Sequence, residues 1–147
     1  MICIIDYGIG NIRAFQNILY RKNIDYKVAT KEDDLVDISK IILPGVGSFD
    51  AAINALTSSG MKDRLNYLVL KMKIPILGVC VGMQIMFNSS TEGSRAGLNW
   101  IDDKVIKLST NSKYPLPHMG WNRLNILTQD EILKNIETFP EYYFLHR

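Results

Sequence analysis

Along the first two thirds of the chain, apolar residues alternate between short unbroken runs and stretches at helical spacing. Residues 2–6, Ile-Cys-Ile-Ile-Asp, form the first run, and Tyr7-Gly8-Ile9-Gly10-Asn11 turns the chain away from it. From Ile12 the period changes. Ile12, Phe15, Ile18 and Leu19 predict the buried face of a helix lasting to Lys22. Residues 26–30 read as a strand, and Ile41-Ile42-Leu43 as another, closed by Pro44-Gly45-Val46-Gly47. Ser48 or Asp50 is suited to cap the next helix, which runs through Ala51, Ile53, Ala55 and Leu56. Ser58-Ser59-Gly60 breaks it, and a second helix is expected over residues 61–73. Residues 75–79 make the next strand, followed at once by a helix through Met83, Ile85, Met86 and Phe87.

Strands apolar on both faces, alternating with amphipathic helices, imply an α/β fold: a mostly parallel sheet with helices on both faces. After about residue 95 the texture changes. Residues 104–108 and 124–127 look like half-exposed strands of an antiparallel addition, residues 131–136 like a short helix, and residues 142–146 like a last strand. With no internal repeat, low-complexity segment or linker, residues 1–147 are expected to form a single domain.

Composition narrows the class. Of 147 residues, 47% are hydrophobic, which is enough for a packed core. The net charge of +2, from 17 basic and 15 acidic residues, argues for neither nucleic acid nor an anionic membrane as partner. No run has the length of a membrane span, and the N-terminus lacks the layout of a signal peptide. The two cysteines, Cys3 and Cys80, make no disulfide scaffold and no metal or redox pair. A soluble, cytoplasmic protein is expected. Cys3, inside an apolar run, reads as a core residue.

Cys80 is different. Gly78-Val79-Cys80-Val81-Gly82 lies between a predicted strand and a predicted helix, in the layout of a nucleophile elbow with cysteine in place of serine. The nucleophile of such an elbow sits on a strained turn. Side chains two residues to either side would collide, so both positions need glycine. The turn puts the sulfur at the carboxyl end of the sheet, where α/β folds bind ligands. The following helix N-terminus favours thiolate, and the N–H of Val81 can face a developing oxyanion.

Pro44-Gly45-Val46-Gly47 is a second glycine turn at a strand end. It is suited to phosphate, to a second oxyanion donor beside Cys80, or simply to a tight connection. No Gly-Lys-Ser/Thr follows, so it is not a Walker A loop, and Arg13 stands where a dinucleotide fingerprint needs glycine. No cofactor and no metal are expected. A cysteine nucleophile also needs a base. Spacing alone favours His146, at a strand end, over His118 in Pro117-His118-Met119-Gly120-Trp121-Asn122, but no carboxylate follows His146.

Four segments in this order carry a resemblance: Asp6-Tyr7-Gly8-Ile9-Gly10-Asn11, Leu43-Pro44-Gly45-Val46-Gly47-Ser48-Phe49, Gly78-Val79-Cys80-Val81-Gly82-Met83-Gln84 and Pro117-His118-Met119-Gly120-Trp121-Asn122. Together they resemble the glutamine amidotransferase subunits of imidazole glycerol phosphate synthase, a class I, triad-type glutaminase family with a flavodoxin-like fold. The resemblance implies that Cys80 attacks the side-chain amide of glutamine. Backbone N–H groups of Val46, Gly47 and Val81 then hold the oxyanion, and Gln84 and Glu92 bind the substrate. It implies that ammonia passes to a (β/α)₈ cyclase partner in a heterodimer for histidine biosynthesis. Asn11, Trp121 and Tyr143 fall near that interface, although sequence alone favours a core place for Trp121.

The resemblance also carries departures. The family's catalytic His-x-Glu motif has no counterpart in the 147 residues. Tyr142-Tyr143-Phe144-Leu145-His146 matches an earlier Tyr-Phe-x-x-His stretch, with Arg147 where serine is usual, so His146 is not the expected base. The chain thus reads as C-terminally truncated, with an incomplete fold. A chain without that pair is expected to turn over glutamine at least about 10³-fold more slowly than an intact homologue. Two alternatives follow: a non-catalytic paralogue that binds the synthase partner, or the amidotransferase subunit of a surface-sugar pathway. The second draws on Gly97-Leu98-Asn99, which departs from the Gly-Leu-Gly pattern of the histidine branch. An unrelated cysteine α/β hydrolase is the remote third reading.

Overall fold

Strand β1 (Ile2–Ile5) lies between two parallel neighbours, β2 (Tyr26–Ala29) and β3 (Lys40–Gly45). Strand β4 (Ile76–Cys80) pairs with β3, giving one four-stranded parallel sheet in the order β2-β1-β3-β4. Cys3 and Ile5 point into the main core with Phe49, Leu56 and Leu65. Ile4 lies between them, so it faces the other way, and it is equally buried. Both faces of the sheet are therefore covered, which is why its strands read as solid apolar runs. The computed structural model describes residues 1–109, 115–128, 130–134, 136 and 141–146. It divides into two compact units, Met1–Ile106 and Lys107–Arg147. Arg147 lies outside the described residues.

Helix α1 (Ile12–Arg21) is capped by Asn11, whose side chain accepts the Ala14 N–H. Leu19 is its buried residue, while Ile18 is 57% exposed, contrary to expectation. Ile12, Phe15 and Leu19 share one stripe, but Ile18 sits about 100° around the helix from Leu19. Helix α2 (Phe49–Ser58) takes Ser48 as its cap, through the Ala51 N–H. Asp50 is not the cap. The second expected helix is α3 (Lys62–Asn66), and it widens into a π turn over Tyr67–Lys71. The Trp100 indole N–H binds Asn66 Oδ1 at 2.8 Å, at the point where the widening starts.

Helix α4 (Val81–Gln84) is a single turn and does not run through Phe87. Phe87 instead begins β5 (Phe87–Ser90), which pairs in parallel with β6 (Ile101–Val105). The cause lies in the segment before β6. The Ile85 carbonyl accepts the Leu98 N–H and the Met86 carbonyl accepts the Trp100 N–H, at 2.8 and 2.9 Å. Gly97 allows this approach, since a Cβ there would stand 1.9 Å from the Phe87 carbonyl oxygen. The strand expected at residues 104–108 thus lies earlier, and its pairing is parallel rather than antiparallel.

In the second unit, β7 (His118–Arg123) and β8 (Glu141–His146) pair antiparallel; an antiparallel addition and a last strand at 142–146 were expected, but not a strand at 118–123. Residues 124–127 are not a strand. The pair is fixed by cross-strand contacts. His118 stacks on His146, Trp121 meets Tyr143 edge to face, and Arg123 Nε lies 3.1 Å from Glu141 Oε1. A short 3₁₀ turn at Glu131–Leu133 stands where the last helix was expected.

Candidate active site

Cys80 has φ 55° and ψ −123°, a conformation that side chains rarely adopt. It ends β4, is exposed, and is followed directly by α4. Both flanking glycines are enforced by backbone. A Cβ on Gly78 would stand 2.5 Å from Met83 Cα. One on Gly82 would stand 2.0 Å from the Leu43 carbonyl oxygen. The elbow is thus a strained turn pressed between its own helix and the neighbouring strand. Cys3, by contrast, is fully buried, and burial pushes its thiol up from 9.0.

The second glycine turn sits beside it. Gly45 is the register partner of Cys80, and a Cβ on Gly45 would stand 2.3 Å from the Gly82 N. Val46 and Gly47, both exposed, leave the sheet at this edge, Gly47 with φ 91°. The Val81 N–H opens α4 and has no partner within that helix. Tyr7 supports the turn from below. Its buried hydroxyl donates to the Pro44 carbonyl at 2.7 Å, and burial pushes its pKa up to about 12.

Gln84 is the last residue of α4 and is half-buried. Glu92 lies in the loop after β5, where its Oε2 accepts the Phe49 N–H at 3.3 Å, two residues beyond Gly47. Asp50 reaches the same loop from α2. Its carboxylate accepts the backbone N–H groups of Ser94 and Arg95, both at 3.0 Å, and the Ser94 hydroxyl at 3.3 Å. The Ser94 and Arg95 amides hold the Asp50 carboxyl below its ordinary 3.8. The sequence offered only a signal for an N-cap at Asp50, and nothing that singled out Tyr7.

The first unit therefore brings together Cys80, Val46, Gly47, Val81, Gln84 and Glu92 on neighbouring elements. Asn11 belongs to this unit as well, but it caps α1 and lines an open polar depression with Asp6, Arg13 and Gln16. Trp121 and Tyr143 are in the second unit, 69% and 54% exposed, so the core place that sequence alone favoured for Trp121 is not the one it takes. His118 and His146 face each other there, with Asn122 Nδ2 3.1 Å from His118 Nε2. Among the described residues, no group of three or more His, Cys, Asp or Glu is arranged to hold a metal, and no helix is long and apolar enough to cross a membrane.

Residues 3–147 match the family described as glutamine amidotransferase class-I. The chain is 47% identical to the imidazole glycerol phosphate synthase subunit HisH of Leptospira borgpetersenii, over 99% of this chain and 73% of that one. It is 46% identical to the subunit of the same name from Bdellovibrio bacteriovorus, with the same coverage. A crystal structure of a glutamine amidotransferase superposes with a TM-score of 0.70 at 15% identity, over 99% of this chain and 69% of that one. At that identity the superposition speaks for the fold.

Proposed function

This chain belongs to the class-I glutamine amidotransferase family, and on that premise we propose that Cys80 is the nucleophile with which it releases ammonia from glutamine. It acts as the glutaminase subunit of an imidazole glycerol phosphate synthase, in histidine biosynthesis. The observation that carries the assignment to Cys80 is its strained conformation between two glycines that tolerate no side chain.

The chemistry follows from the elbow. The Cys80 Sγ adds to the side-chain amide carbon of glutamine, and the carbonyl electrons move onto oxygen. Backbone N–H groups of Val81 and of the Val46–Gly47 turn stabilise that charge, the kind of contribution worth about 3 kcal/mol per donor. The C–N bond then breaks and ammonia leaves with a proton, giving a γ-glutamyl thioester. Water cleaves the thioester to glutamate and restores the thiol. By the family pattern the proton transfers belong to a His-x-Glu pair that these 147 residues do not carry, and not to His146, so Cys80 supplies the addition step while those transfers have no group assigned here.

Gln84 and Glu92 hold the substrate. This reading is supported by Gln84 closing the helix that Cys80 opens, and by the bond from Glu92 to α2 just past Gly47. The partner is a (β/α)₈ cyclase that receives the ammonia in a heterodimer. Asn11 in the first unit, and Trp121 and Tyr143 in the second, are each exposed and so open to that partner. The family match over residues 3–147 supports reading both units as one amidotransferase domain, and a place in the cytoplasm is part of the same proposal. No step above calls for a cofactor. The departure at Asn99 has a backbone cause: its φ is 54°, which asparagine and glycine adopt most readily. That position therefore carries no weight for a surface-sugar pathway.

The test is labelling with a diazoketone analogue of glutamine, read by peptide mass. One adduct on Cys80, slowed by glutamine and missing in Cys80→Ser, is expected, with Cys3 unlabelled as the internal control. If iodoacetamide alkylates Cys80 at a rate that glutamine does not slow, the glutaminase reading fails.

A further inference from the structure

The loop carrying Glu92 is held by an exchange of hydrogen bonds with the first turn of α2. Phe49 donates its N–H to Glu92 Oε2, and the adjacent Asp50 accepts from Ser94 and Arg95 in return. The loop is also closed on itself, since Ser90 Oγ accepts the Glu92 N–H at 3.1 Å. Contact is close enough that a Cβ on Gly93 would stand 2.1 Å from Asp50 Oδ1. Ser48 already caps α2, so the Asp50 carboxylate is not needed there and spans 44 residues to Ser94. Two carboxylate oxygens that both accept backbone N–H groups fix the direction of a loop as well as its distance.

We propose that Asp50 is a positioning residue for glutamine: by clasping Ser94 and Arg95 it holds Glu92 beside the Gly47 turn, and so sets substrate affinity without touching substrate. The proposal rests on the glutaminase reading and on the substrate role of Glu92 within it. The Asp50 carboxylate is turned to Ser94 and Arg95, and α2 starts from its own cap at Ser48. Loss of the clasp therefore moves the loop and leaves the elbow in place.

The experiment measures two quantities for the wild-type protein, Asp50→Ala, Asp50→Asn and Gly93→Ala. One is the rate of Cys80 alkylation by iodoacetamide. The other is the glutamine concentration that halves it. Losing hydrogen bonds to a charged acceptor predicts a half-saturating concentration raised about tenfold or more in Asp50→Ala, with the alkylation rate itself within about twofold of wild type. Asp50→Asn keeps one acceptor oxygen and falls between. Gly93→Ala displaces the carboxylate from the loop side and leaves Asp50 intact, so it carries the same expectation if the Asp50 variants do not fold. An unchanged half-saturating concentration in a folded Asp50→Ala or Gly93→Ala variant overturns the proposal. Failure of glutamine to protect wild-type Cys80 would instead sink the glutaminase reading, and is seen without any substitution.

Discussion

The Cα of Gly82 faces the carbonyl of Leu43 so closely that a Cβ would stand 2.0 Å from the oxygen. Strand β3 and the elbow therefore meet through backbone alone. Gly82→Ala forces one of them aside, and neither is a flexible side-chain end. We expect a loss of about 3 kcal/mol, at the upper end of what overpacking costs. Urea unfolding followed by circular dichroism measures it. A loss below about 1 kcal/mol would mean that the two backbones are not packed as described.

Cys80 occupies φ 55° and ψ −123° with a side chain that is exposed and makes little packing. Glycine takes that conformation without steric cost. Relief of strain of about 1–3 kcal/mol outweighs the greater freedom that glycine gives the unfolded chain. Cys80→Gly should therefore be more stable than wild type by about 1 kcal/mol while losing all reaction with the diazoketone. Cys80→Ala keeps the strain and should lose reactivity with no such gain. Equal stability of the two variants would show that the elbow is relaxed.

Tyr7 holds the Pro44 carbonyl from inside the core. Tyr7→Phe leaves that carbonyl without its donor, at a cost of about 1–2 kcal/mol. The hydroxyl also sets an alkaline limit. Its pKa rises from 10.0 to about 12 on folding, because burial disfavours the phenolate. The native state thus holds this proton more tightly than the unfolded state. Its contribution is complete below 10.0 and is lost as pH rises towards about 12. The stability of wild type should fall over that window, and that of Tyr7→Phe should fall less. Parallel curves for the two would refute the assignment.

The parallel sheet was legible because strands buried on both faces become solid apolar runs, as at Ile2–Ile5. The elbow was legible because its two glycines are demanded at fixed spacing by backbone collisions within a few residues of sequence and one neighbouring strand. What stayed hidden depends on distant partners. Phe87 enters a strand because the segment after Gly97 claims the carbonyls that a longer helix would use. His118–Arg123 alternates only through Met119 and Trp121, both exposed, and is a strand because β8 lies opposite with matching aromatic and charged groups. Asp50 and Ser48 both suit a helix start, and only the loop at Ser94 and Arg95 decides between them.

The Asp50 clasp should also be visible as a dependence of stability on acid. The backbone N–H groups of Ser94 and Arg95 favour the carboxylate, and so hold the folded-state pKa below the ordinary 3.8. A group with a depressed folded pKa contributes stability above its unfolded value and loses it as pH falls through the folded one. The clasp is therefore intact at neutral pH and opens only below 3.8, as the carboxyl takes up its proton. Asn at position 50 cannot titrate. The difference in urea midpoint between wild type and Asp50→Asn should be constant from neutral pH down to the ordinary carboxylate range, and should shrink below it. A stability gap that stays constant through the acid range would mean that the Asp50 carboxylate is not the group that holds the loop.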